Sequence, residues 1–69
     1  MRIEEVAAKQ VVAQVLDGLD RLCVSVSIVK ENCDQPSFEI YRCSVAEIVA
    51  RAGDEMLEPI FRKFPDLRP

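Results

Sequence analysis

The chain contains no histidine and no tryptophan, only two glycines, one tyrosine and three phenylalanines. Without histidine it lacks the one side chain whose unperturbed titration falls near neutral pH, and with it the histidine-dependent nucleophile pairs of hydrolases and transferases. The two glycines, Gly18 and Gly53, stand far apart, whereas a phosphate cradle needs clustered glycines opening a helix. No uninterrupted apolar run approaches the roughly 20 residues that a membrane-spanning helix requires. Three cysteines are an odd number, so complete pairing within one chain would leave a thiol over. A formal net charge of −3 argues against nucleic-acid binding driven by bulk positive charge.

The start, Met1-Arg2-Ile3-Glu4-Glu5, has neither the basic opening nor the apolar core of a secretory signal. The expectation is a cytoplasmic protein with reduced thiols. Cys23, Cys33 and Cys43 match no close metal-ligand pair such as C-x-x-C. They are expected to be small, mostly buried apolar fillers, and no metal or other cofactor is expected.

What is present is a ladder: Ala8, Val12, Val15, Leu19, Leu22, Val26, Val29 and Cys33 repeat in steps of four and three. That spacing keeps one apolar stripe on one side of a helix and specifies packing against another helix. Leu16 and Cys23 widen it. Leu22, Val24, Val26 and Ile28 also alternate with Cys23, Ser25 and Ser27 as a half-buried strand would, so a strand hairpin over residues 22–30 and 37–43 is the rival reading. The register entering from Val12 continues in phase to Cys33 without a proline, and this favours a helix over residues 3–32.

Asn32 to Ser37 breaks the pattern, with Asp34 placed as an N-cap and Pro36 suited to a first helical turn. A second helix is expected over residues 35–64, with Phe38, Tyr41, Val45, Ile48, Val49, Ala52, Met56, Ile60 and Phe64 on its apolar side. Ser44-Val45-Ala46-Glu47 reads locally as a capping box, but the continuous phase from Phe38 to Ile48 makes Ser44 an interior surface residue. Pro59 should bend the last turns, because its ring meets the carbonyl four residues earlier. Residues 65–69 should form an extended tail.

The segments Leu19-Asp20, Glu31-Asn32-Cys33, Phe38, Tyr41-Arg42 with Val45, Leu57-Glu58-Pro59-Ile60 and Phe64 to Pro69 together resemble a group of short, uncharacterised bacterial proteins. These share a Y-R-x-x-V stretch and an L-x-P-I…P-x-L-x-P ending. The resemblance covers roughly residues 19–69 and implies a helical hairpin. It carries no activity, and Cys43-Ser44 departs from the charged or small helix formers usual after Tyr-Arg in that group.

Catalytic constellations are thin. Glu4-Glu5 and Asp54-Glu55 are neighbours, and neighbours on a helix diverge by about 100°, too far for a convergent acid–base dyad. Glu47, Asp54 and Glu58 share a face with Arg51 and Arg62 at ion-pair spacing, the pattern of an exposed stripe.

The expected architecture is therefore all-α: an antiparallel two-helix hairpin in a single domain, two copies of which pair as a four-helix bundle. A chain this short buries little core alone. Val24, Ile28, Ala50 and Gly53 are the candidate dimer interface, the first two because they fall off the ladder and the last two because they permit close helix approach. Phe61, Arg62, Lys63 and Phe64 are the candidate surface for another protein. The expected function is a non-enzymatic, homo-oligomeric interaction or adaptor module, with itself as principal partner and no nucleic acid or membrane. The alternatives are a regulator that binds a protein through its C-terminal region, and a thiol-based redox or metal-responsive protein using the three cysteines.

Overall fold

A computed structural model describes residues 2–69. Two helices run side by side: α1 spans Glu5–Asn32 and α2 spans Gln35–Ala52. A π-helical turn, Gly53–Leu57, links α2 to a short α3, Glu58–Lys63, and a 3₁₀ turn, Pro65–Leu67, follows. No strand occurs among the described residues, so the stretch from Leu22 to Ile28 is helical. The in-phase ladder outweighs the local alternation because its rungs from Ala8 to Val29 are all at least partly buried along one face of α1, whereas a strand would need a pairing partner.

The connection is tight. Asp34 occupies the N-cap position of α2 with extended backbone, but its side chain makes no capping hydrogen bond. The amide of Cys33 instead donates to the Val29 carbonyl at 2.9 Å and closes the last turn of α1. Ser44 lies inside α2, its hydroxyl donating to the Ile40 carbonyl at 3.0 Å, so the Ser44 capping box does not operate.

Pro59 acts through the turn before it. The amide of Glu58 donates to the carbonyl of Gly53, five residues back, which is one residue wider than an α-helical turn. Such a π turn shifts the hydrogen-bond register where a proline offers no donor and its ring crowds the previous turn. The rod then resumes as α3, so the expected helix over residues 35–64 is present but interrupted.

The core sits at the open end of the hairpin. Ala8 and Val12 of α1 close on Leu57, Ile60 and Phe61, with Ile3, Val15, Leu19, Phe64 and Leu67 packed around them. Phe38 and Val45 are buried separately, on the α2 side of the remaining ladder. The tail over residues 65–69 is not extended throughout. Its 3₁₀ turn carries Leu67 onto the core and Arg68 over the ring of Phe61, at 5.1 Å.

The molecule is a rod of 45 × 17 × 16 Å with a radius of gyration of 14.7 Å. A compact domain of this length would have a radius of gyration of about 11 Å. Elongation leaves both helices with long flanks that no second layer covers.

Candidate interaction surface

Midway along the hairpin the two helices are tied by one polar contact. The Ser25 hydroxyl donates to the Leu22 carbonyl, one turn back in α1. Its single proton is then committed, so the Tyr41 hydroxyl, 2.8 Å away, is the donor of the Ser25–Tyr41 bond. This bond sets residue 25 opposite residue 41 in the pair. Tyr41 therefore spends its hydroxyl inside the hairpin.

Beside this seam lies a shallow groove of about 440 Å³. Cys23 and Val26 of α1 form one wall, and Val45, Ala46, Val49 and Ala50 of α2 form the other, with Arg42 at its edge. The reason is geometric. At 100° per residue, the apolar arc of α2 from Val45 to Ala50 spans about 140°, more than a single neighbouring helix covers. Val45 is buried against α1, while Ala46 and Ala50 stay open.

The one charged residue of the groove is already engaged. Arg42 Nη2 lies 2.8 Å from Glu39 Oε2, and this contact raises the guanidinium pKa above its ordinary value. A smaller depression of about 210 Å³ occupies the opposite flank of α2, lined by Ile48, Ala52 and Met56 with the Arg51–Glu55 ion pair beside them.

The expected dimer residues do not form one patch. Val24 and Ile28 are 55% and 57% exposed, but each lies two residues from Val26, about 200° around α1, and so faces away from the groove. They share that outer arc with Asp17, Asp20 and Glu31. Ala50 lines the groove, and Gly53 follows it one turn on. A Cβ built on Gly53 meets nothing within 4 Å, so no contact inside the chain requires glycine there. Cys23 and Ala46 complete the groove, and the sequence reading did not single them out as interface residues. Their signal was the small-residue spacing of Ala46, Ala50 and Gly53 beside a thiol flanking the ladder.

At the C-terminal end the partner surface is largely turned inward. Phe61 is only 6% exposed and belongs to the core, and Phe64 is half-buried against it. What reaches solvent is a charged clasp. Arg68 grips Glu58 with both terminal guanidinium nitrogens, at 2.9 and 3.2 Å, and Arg62 stands 3.8 Å from the same carboxylate. The hydrogen bond from Arg68 is the main reason that the Glu58 carboxyl is held below its ordinary value of 4.5. Lys63 lies over the Phe64 ring at 5.6 Å.

The cysteines are not buried fillers: Cys23, Cys33 and Cys43 are all free and exposed. A hairpin has a single internal face. Cys33 falls past the last turn of α1 at the cap, Cys43 points away from the seam, and Cys23 lines the groove. No group of three or more potential metal ligands gathers among the described residues, and none of their helices is long and apolar enough to cross a membrane. Comparisons with protein-family models, curated proteins and solved structures return no match.

Proposed function

We propose that this chain is a small, non-enzymatic interaction module that works as a homo-oligomer, at its simplest a pair of hairpins forming a four-helix bundle. The observation carrying this reading is its surface. A compact monomer of 7.8 kDa should expose about 4,400 Å². This chain exposes 5244 Å², an excess of roughly 850 Å², close to the 800 Å² or so that each partner contributes to a standard-sized protein interface.

The composition of that surface points the same way. Val6, Val11, Leu16, Val24, Ile28, Ile40, Ile48 and Met56 are all more than one-third exposed, against seven buried hydrophobic residues among those described. A small domain with so little interior gains most from burying more apolar surface against a second chain. Light scattering of the purified protein tests the proposal. The expected result is a dimer at micromolar concentration; a well-folded monomer there would refute it.

A further inference from the structure

We propose that the groove between α1 and α2, walled by Cys23, Val26, Ala46, Val49 and Ala50, is the seat of the second copy of this chain, groove against groove about a two-fold axis. This deepens the self-association proposed above by naming the face that carries it.

One observation on the whole chain selects the occupant, and three on the groove select this face. The surface excess matches one protomer's share of a standard interface, which is what a second copy of equal size supplies. The groove has about twice the volume of the depression on the opposite flank, and its only charge, Arg42, is satisfied by Glu39 of its own chain. It therefore offers no unpaired charge to select a partner of opposite sign, whereas an apolar, uncharged face is complementary to itself. Finally, the outer wall consists of Ala46 and Ala50 and continues to Gly53, where a side chain would meet nothing within the chain. Small residues at this spacing let a facing helix approach within the 8–10 Å of close helix packing.

The other exposed apolar residues are less suited. Val24 and Ile28 share their arc with Asp17, which pairs with Arg21 at 3.3 Å, and with Asp20 and Glu31, so a second copy seated there would have to desolvate carboxylates. Ile48 and Met56 lie beside the Arg51–Glu55 ion pair.

The experiment is sedimentation equilibrium on four proteins: wild type, Ala46→Glu, Ile48→Glu and Val24→Glu. All three positions are exposed in the single chain, and far-UV circular dichroism confirms that each variant keeps its helix content. A fifth protein, Ala50→Arg, replaces Ala46→Glu should that variant lose helix. The expected result is that Ala46→Glu raises the dimer dissociation constant on the order of 100-fold, because it buries an unpaired charge. Ile48→Glu and Val24→Glu should stay within a few-fold of wild type. A dimer that tolerates Ala46→Glu but is broken by Ile48→Glu or Val24→Glu overturns the groove assignment and leaves self-association standing. A wild type that stays monomeric overturns both, including the case in which the groove instead takes a helix of a different protein.

Discussion

Ile60 is the most deeply buried large side chain in the molecule, at 1% exposure, and its truncation measures how much of the fold rests on the core at the open end. Ile60→Ala removes side-chain carbons from a site packed by Ala8, Val12, Leu57 and Phe61, and such a change costs about 2–5 kcal/mol. A chain of 69 residues has a total stability of roughly 3–10 kcal/mol. The substitution thus removes a large share of the total. At about 4–8 °C per kcal/mol for a domain of this size, the melting temperature should fall by roughly 8–40 °C. The matched control is Ile28→Ala, the same chemical change at 57% exposure in mid-helix. There the lost contacts are few and alanine's better helix propensity offsets them, so the effect should stay within about 0.5 kcal/mol. Thermal melts followed by circular dichroism, at one fixed protein concentration, give both values. Equal shifts for the two variants would refute the placement of the core.

Three further outcomes follow from particular contacts. Tyr41→Phe should destabilise by about 1 kcal/mol in urea melts, since it removes the only side-chain hydrogen bond described between α1 and α2. Gly18→Ala should stabilise by about 0.5–1 kcal/mol, because Gly18 lies within regular α1 and a Cβ there meets nothing within 4 Å. Arg68→Ala should raise the Glu58 pKa toward 4.5, as followed by side-chain carbonyl NMR. In the wild type the folded-state value is depressed, so the contribution of the Glu58–Arg68 clasp is present above pH 4.5 and is lost as pH falls through the lowered folded value. The variant should lack that component of acid sensitivity.

Much of this architecture is legible in periodicity. The ladder from Ala8 to Val29 supplies α1 and its inward face, and the phase from Phe38 to Ile48 carries α2 straight through the Ser44 capping box. Non-local packing was not legible. Phe61 reads as an exposed aromatic near a basic cluster because nothing nearby in sequence announces that the chain turns after Phe64 and lays Leu67 and Arg68 over the end of the rod. Pro59 signals a disturbance in the helix, but not that a π turn upstream absorbs it. The cysteines mislead for a related reason. Composition places free cysteine in cores, yet a two-helix hairpin has one internal face, and none of the three lies within it. The groove was visible only in part, as Ala50 and the neighbouring Gly53. Its other residues depend on which flank of α2 the first helix leaves uncovered, and that is a property of the packed pair.

Cys23 provides the most direct measurement, because it is a natural probe inside the groove while Cys33 and Cys43 lie elsewhere on the surface. Alkylation with iodoacetamide, quantified for each cysteine by peptide mass spectrometry over a range of protein concentrations, reports whether a second copy covers it. Groove-to-groove pairing predicts that Cys23 labelling slows as concentration rises through the dimer dissociation constant while Cys33 and Cys43 keep a constant rate. Labelling of Cys23 that stays as fast at high concentration as at low would contradict it.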